Sequence, residues 1–150
     1  EMTHARLALA HTTRYSPKLA RVRELIESGA IGEIFEIRGR GKEDSRGGGE
    51  DFWVLGSHVL NLVLSLCGPA EWCFATIQEN GKSISAASVK EGNEGIGPLA
   101  GDDVRATYGF AGSVSATFQS KRGSAGNPSR FGVQIFGSKG IIELGTGYLP

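Results

Sequence analysis

The feature that most restricts the possible folds is a change of hydrophobic period near residue 70. Before it, two stretches repeat apolar residues at three- and four-residue spacing, which is typical of amphipathic helices. After it, apolar and polar residues alternate in short runs between glycine turns, which is typical of antiparallel strands. Helices early and strands late predict an α+β fold, an open and largely antiparallel β-sheet with helices packed on one face.

The two helices have clear boundary signals. Ser16 is a suitable N-cap, Pro17 a suitable first helical residue, and Gly29 a suitable stop. The second helix-like stretch covers residues 51–68 and ends at glycine followed by proline. Strands are predicted at residues 7–11, 31–42 and 71–79, in a hairpin of 104–110 with 114–120, and in a hairpin of 131–136 with 141–144.

Composition excludes several classes of protein. The 150 residues carry 16 cationic and 16 anionic side chains, scattered along the chain, so no nucleic-acid or membrane-surface partner is expected. No apolar run reaches the roughly 18–20 residues of a membrane span. The three histidines lack metal-ligand spacing, so no metal is expected. Two poorly patterned cysteines, Cys67 and Cys73, indicate buried, reduced thiols and hence a cytoplasmic protein.

One motif has the letters of a dinucleotide fingerprint but not its context. Residues 95–100 read GIGPLA, which satisfies G-x-G-x-x-A. The fingerprint requires a strand before it and a helix after it, because the helix N-terminus holds the pyrophosphate. Neither pattern surrounds this segment, so we reject it as a nucleotide site.

One histidine stands in the most apolar stretch of the chain. On a helix, His58, Asn61 and Ser65 form a narrow polar line beside a core-facing stripe of leucines and valines. A helix this apolar is expected to be covered on most sides, so the line should face a cleft. The residues alone leave two interpretations open, a hydrogen-bonded core histidine and a catalytic imidazole.

The second hairpin strand of residues 104–120 has a wholly polar outer face. Its members are Ser113, Ser115, Thr117 and Gln119. The face is either solvated or in contact with another polar protein surface.

Four blocks of sequence, taken together and in this order, resemble a known family. They are RYSPKLARVRELIESGAIGEIFEIRGRG, GGGEDFWVLGSHVLNLVLSLCGPA, DDVRATYGFAGSVSATFQS and FGVQIFGSKGIIEL. The chain from about Leu7 to its end is similar to the C-terminal domain of the glucose–fructose oxidoreductase and inositol dehydrogenase family.

The resemblance implies a domain organisation. Residues 1–15 correspond to the end of a Rossmann domain, with its last strand, and residues 16–150 to the C-terminal substrate and dimerisation domain. The Rossmann domain would lie upstream of residue 1 and bind NAD or NADP. On this basis no cofactor is expected on this chain alone, and the chain alone is expected to be inactive.

The resemblance also implies a role for the histidine. In the family the histidine of the G-x-H motif, here His58, lies beside the substrate carbinol as proton donor, acceptor or orienting group. Two neighbouring positions depart from the family pattern, because Val54 and Asn61 stand where aspartate is common. An amide can still hydrogen-bond an imidazole, but it cannot stabilise an imidazolium by charge.

Further substrate-binding candidates lie in two loops. Lys42 and Asp44 lie in a loop that contacts the substrate in members of the family. The alternative interpretation is a solvated loop. Arg14 and Tyr15 resemble positions near the boundary between cofactor and substrate, with packing of the first helix as the alternative. Two more acidic residues of the loop, Glu50 and Asp51, are interpreted as helix caps.

The sequence therefore predicts the substrate-binding and oligomerisation domain of an NAD(P)-dependent oxidoreductase. The expected partners are a small-molecule substrate, namely a sugar, a cyclitol or a related hydroxyl compound, and a second copy of the chain bound through the open sheet face. The alternative is a non-catalytic binding or oligomerisation module derived from the same fold, with Val54 and Asn61 marking a lost site.

Overall fold

The computed structural model describes residue 6 and residues 8–147. Within them, three α-helices pack on one face of a seven-stranded sheet. The helices are α1 (Pro17–Glu27), α2 (Gly49–Val54) and α3 (Gly56–Cys67). The strands are β1 (Ile34–Arg40), β2 (Trp72–Glu79), β3 (Lys82–Ser83), β4 (Lys90–Glu91), β5 (Pro98–Leu99), β6 (Asp103–Gly109), β7 (Ser115–Lys121), β8 (Gly132–Gly137) and β9 (Gly140–Gly145).

The main sheet is open and mostly antiparallel, which confirms the predicted fold class. Its strand order is β3-β2-β6-β7-β1-β8-β9, and β4 pairs with β5 in a separate two-stranded ribbon. Both predicted hairpins are present, as β6 with β7 and β8 with β9. The pair of β1 with β7 is parallel, and it joins the early strand to the late hairpin.

The first helix begins and ends as the sequence predicts. Ser16 accepts a hydrogen bond from the backbone N–H of Leu19 at 3.3 Å, and Pro17 is the first helical residue. The helix ends at Glu27, shortly before Gly29, whose φ of 70° a glycine adopts without strain.

The core lies between α3 and the middle of the sheet. Val59 and Leu62 on α3 are fully buried, as are Ile37 on β1, Phe118 on β7 and Ile135 on β8. Helix and sheet approach each other closely because β1 carries a glycine there: a methyl group on Gly39 would lie 2.7 Å from the Cγ1 atom of Val59.

Two predicted elements differ from those observed. The strand predicted at residues 7–11 is not formed at residues 8–11, which pair with no described strand; Leu7 lies outside the described residues. Alternating leucine and alanine favour extended backbone, but a strand also needs a hydrogen-bonded neighbour. Leu9 is instead 70% exposed, and a 3-10 turn (Thr12–Tyr15) follows.

The helix-like stretch of residues 51–68 forms two helices instead of one. The helical path changes at Leu55, where φ is −110°, between α2 and α3. Asp51 holds α2 to β7 by a hydrogen bond from Ser120, and Gly56 packs α3 against the ring of Phe118. These two attachments to one strand fix the two helical segments separately.

None of the helices within residues 8–147 combines the length and the apolar character that a bilayer crossing requires.

Candidate functional site

His58 lies in the first turns of α3, beside the segment that precedes α1. Its ring is half-buried and meets the ring of His11 edge to face, with centroids 5.2 Å apart and planes at 90°. Within the described part of the chain, the His58 imidazole makes no side-chain hydrogen bond. A core histidine with a structural role normally has a partner, so the imidazole remains free for another ligand.

Both features of this environment favour the neutral imidazole. Burial lowers the pKa of His58 from its ordinary value of 6.5, and the neighbouring His11 lowers the pKa further. A neutral imidazole has one nitrogen free to accept a proton. The arrangement can therefore act as a proton acceptor near neutral pH.

The other members of the polar line on α3 differ in how their side chains are satisfied. Ser65 donates to the backbone carbonyl of Leu62 at 2.7 Å, so its hydroxyl is engaged within the helix. The Oδ1 atom of Asn61 is buried and has no hydrogen-bond partner in the described residues. Asn61 thus offers an acceptor one helical turn from His58.

Arg14 and Tyr15 belong to the 3-10 turn that packs on α3. Both side chains are exposed, Tyr15 to 82%. The turn that carries them starts immediately after His11.

Lys42 and Asp44 lie in a separate cluster of charged residues. Asp44 accepts from Arg46 at 2.9 Å and pairs with Lys42 at 3.4 Å, and Arg46 also reaches Glu94 at 3.3 Å. The hydrogen bond from Arg46 lowers the pKa of Asp44 to about 2. No contact joins this cluster to His58 in the described residues, and its members hold one another.

The prediction that Glu50 and Asp51 cap a helix is wrong. The N-cap of α2 is Gly48, and no side chain caps it. Glu50 is 3% exposed and accepts two hydrogen bonds from the side-chain amide of Asn93, each 2.9 Å. Asp51 is fully buried and accepts from the hydroxyl of Ser120 and, at 3.0 Å, from the backbone N–H of residue 43. A side chain that caps a helix has its hydrogen-bond partner within the same helical turn, whereas the partners of these two carboxylates lie in other segments. The two carboxylates therefore connect separate segments of the chain.

A third buried carboxylate in this loop was missed by the sequence analysis. Glu43 is 1% exposed and lies between Arg130, at 2.8 Å, and Arg40, at 3.3 Å. Nothing in the local sequence marks it, because Arg130 is 87 positions away and Lys121, whose backbone N–H also donates to it at 3.3 Å, is 78 positions away. Together, Glu43, Asp51 and Ser120 fasten the loop to the end of β7, ahead of the helix that carries His58.

The GIGPLA segment does not fit a nucleotide. Residues Pro98–Leu99 pair with Lys90–Glu91 as a short antiparallel ribbon, and no helix follows. A pyrophosphate would find no helix N-terminus there. A short strand, β4, does precede the segment, contrary to the sequence prediction, whereas the predicted lack of a following helix agrees with the structure. Within residues 8–147, no three His, Cys, Asp or Glu side chains are grouped as metal ligands.

An apolar groove of about 460 Å³ lies between α2, the β4–β5 ribbon and the strands β2 and β6. Trp53, Cys73, Leu99 and Tyr108 are among its lining residues. The burial of Tyr108 raises its pKa to about 12. The groove involves none of the residues that were predicted to bind substrate.

Several solved structures with the same fold are dehydrogenases. Scyllo-inositol dehydrogenase from Lactobacillus casei, with bound NAD(H) and scyllo-inositol, has a TM-score of 0.64 at 15% identity, over 91% of this chain and 41% of that chain. Levoglucosan dehydrogenase, in complex with NADH and levoglucosan, has a TM-score of 0.64 at 20% identity, over 91% and 39%. Myo-inositol 2-dehydrogenase from Lactobacillus plantarum has a TM-score of 0.60 at 16% identity, over 89% and 40%.

The chain thus spans about two fifths of the length of these structures. No curated protein is significantly similar to it in sequence. The family model described as the GFO/IDH/MocA C-terminal domain matches residues 19–143, which cover most of α1 and the sheet through most of β9. The chain belongs to the GFO/IDH/MocA family, whose C-terminal domain it represents.

Proposed function

We propose that the chain is the substrate-binding domain of an NAD(P)-dependent oxidoreductase that acts on a sugar, a cyclitol or a related hydroxyl compound. The observation that carries the proposal is the His58 imidazole, half-buried, biased toward its neutral form and free of hydrogen-bond partners within the described residues. The similar structures were solved with scyllo-inositol and with levoglucosan, both polyhydroxylated rings. The NAD or NADP site is assigned to a Rossmann domain of the full-length protein.

The proposed role of His58 follows from the chemistry of alcohol oxidation. When a C–OH group becomes C=O, a hydride leaves the carbon and a proton leaves the oxygen; a bound nicotinamide cofactor accepts the hydride. Neutral imidazole is suited to take the proton near pH 7. We assign a substrate contact to Asn61 as the family resemblance implies; its Oδ1 atom is buried and has no partner in the described residues. We also assign substrate contacts to Arg14, Tyr15, Lys42 and Asp44, as the family resemblance implies.

Replacement of His58 in the full-length protein tests the role. His58→Ala should lower turnover by about 10²–10⁴-fold, the usual contribution of a general base, and leave the Kd of NAD(H) or NADP(H) nearly unchanged. Lys82→Gln, at an exposed position of the edge strand β3, is the control and should leave turnover unchanged. Unchanged turnover with a lower Tm in His58→Ala would identify a structural histidine. A wild type inactive on all polyols would instead support the non-catalytic module, which Val54 and the uncharged Asn61 favour.

We further propose that the open face of the sheet forms a homodimer. The polar residues Ser115 and Thr117 of β7 lie on this face, opposite the helices. Three large apolar side chains extend it: Trp72 and Phe74 of β2 are 54% and 67% exposed, and Ile141 of β9 is 62% exposed. A face with a polar centre and apolar sides suits an isologous interface, and a stable one would bury roughly 1,200–2,000 Å² in total.

Light scattering on interface variants tests the dimer. The double variant Ser115→Glu with Thr117→Arg places bulky charges in the centre of the face and should give a monomer. Lys82→Glu, a charge change outside this centre, should remain dimeric. A monomeric wild type, or a dimer that tolerates the double variant, would show that the face is solvated.

We assign the protein to the cytoplasm from its thiols. Cys67 and Cys73 are both unpaired, but the prediction that both are buried is wrong, because Cys67 is half-buried and Cys73 is exposed. An exposed free thiol persists in a reducing compartment and is oxidised outside it. Recovery of the native protein with Cys73 in a disulfide would contradict the assignment.

A further inference from the structure

His11 was not among the residues that the sequence singled out, yet it is the aromatic neighbour of His58. The two rings meet edge to face, and the 3-10 turn that begins at the next residue packs on α3. His11 is half-buried. The contact therefore involves a residue outside the helices, held against the helix that carries the proposed proton acceptor.

Within the described residues, His11 is the only neighbouring group whose charge lowers the pKa of His58. The sheet residues on the α3 side are apolar or glycine: Ile37 and Gly39 on β1, Phe118 on β7, and Val133 and Ile135 on β8. On α2, Glu50 and Asp51 are buried and are hydrogen-bonded to Asn93 and Ser120, respectively. On the 3-10 turn, Arg14 and Tyr15 are exposed. On α3 itself, the titratable residues are His58 and Cys67, which lie nine positions apart.

We propose that His11 is a positioning residue for His58: its ring fixes the orientation of the imidazole, and its positive charge, when protonated, keeps the His58 nitrogen free to accept a proton. The catalytic consequence rests on the role proposed for His58, whereas the coupling between the two rings does not.

The physical basis is twofold. In an edge-to-face pair, the positive edge of one ring lies against the negative face of the other, which restricts rotation of both rings. Two imidazolium charges at this separation repel, and the repulsion is stronger in a half-buried site than in water because the local dielectric is lower. Accordingly, His11 lowers the pKa of His58 in addition to the effect of burial.

Two substitutions separate the ring from the charge. His11→Phe keeps an aromatic edge but cannot be protonated, so the pKa of His58 should rise. His11→Lys keeps a positive charge but loses the ring, so the pKa of His58 should remain lowered. The chain has only three histidines, so an NMR titration of their ring protons, with His58→Gln for assignment, reads these values directly. Lys82→Gln removes one positive charge elsewhere on the protein and is the control for an effect of the overall charge on the pKa of His58.

A raised pKa of His58 in His11→Phe, together with a pKa that stays lowered in His11→Lys, supports the coupling when both variants give native spectra. An unchanged pKa of His58 in His11→Phe, or an equal rise in both variants, overturns it. Activity of the full-length protein then tests positioning. In His11→Phe, the limb on which turnover rises with pH should move to higher pH, and turnover should recover on the alkaline side. In His11→Lys, the limb should stay in place while the maximal turnover falls. Equal loss of activity at every pH in both variants would overturn the positioning role. If the pKa of His58 measured by NMR changes but the pH dependence of turnover does not, only the catalytic role of His58 is refuted.

Discussion

Removal of the Asp51 carboxylate should destabilise the loop that leads to the His58 helix. The side chain is fully buried and accepts hydrogen bonds from the Ser120 hydroxyl and from the N–H of Glu43. Asp51→Ala leaves two buried donors without acceptors, each at a cost of about 1–3 kcal/mol. Relief of the buried charge offsets part of this cost, so we expect a net loss of about 3 kcal/mol. For a chain of this size, the loss corresponds to a fall in Tm of about 6–12 °C.

Asp51→Asn is the matched control. The amide oxygen can take the place of the Oδ2 atom and keep both donors satisfied, while its NH2 group takes the place of Oδ1, which has no partner in the described residues. We expect a loss of about 1 kcal/mol or less. Thermal and urea unfolding measure both variants, and hydrogen exchange at the Glu43 amide should show lost protection in Asp51→Ala alone. If Asp51→Asn were as damaging as Asp51→Ala, the charge and not the two hydrogen bonds would hold the loop.

Three further predictions concern packing, pH and cofactor. Gly39→Ala should lower the free energy of unfolding by about 1–3 kcal/mol, because the methyl group would lie 2.7 Å from Val59; Gly140→Ala, where the nearest atom is 3.4 Å away, should cost less in the same urea titration. Folding lowers the pKa of His58, so the contribution of this group to stability is complete above the unfolded pKa of 6.5 and declines as pH falls below that value. His58→Gln should flatten this decline. A Tm–pH curve that is the same in His58→Gln and wild type would show that the titration of His58 is not coupled to folding. The chain alone should not bind NAD(H) or NADP(H) in calorimetry, and saturable micromolar binding would contradict our assignment of the cofactor site.

The parts of the fold that depend on neighbouring residues could be predicted, and the parts that depend on distant pairings could not. The hairpins of β6 with β7 and of β8 with β9 follow from alternation around a glycine turn. The parallel pairing of β1 with β7 joins Glu36 to Ser115, and no local pattern encodes a partner so far away. The ribbon of β4 with β5 lies in a segment where the sequence predicted no strand.

The site shows the same division. The position of His58 on a helix could be predicted because it depends on the apolar period around it. The burial of Glu43 and Glu50 could not, because their partners Arg130 and Asn93 lie 87 and 43 positions away. A charged loop is normally solvated, so sequence alone favours exposure for such residues.

The loop of residues 41–51 illustrates how composition can mislead about function. Its three consecutive glycines resemble a ligand loop, but each lies against backbone of Arg122, Asp102 or Ala100 at a distance that excludes a Cβ atom. The carboxylates of this loop are likewise occupied, by Ser120, Asn93 and arginines, and its lysine pairs with Asp44. Groups already paired must lose those partners before they bind a ligand, which costs free energy. His58 and the Oδ1 atom of Asn61 have no such partners in the described part of the chain. The half-buried imidazole can bind a hydroxyl without that cost, and for this reason we place the chemistry on α3 and assign the loop a supporting role.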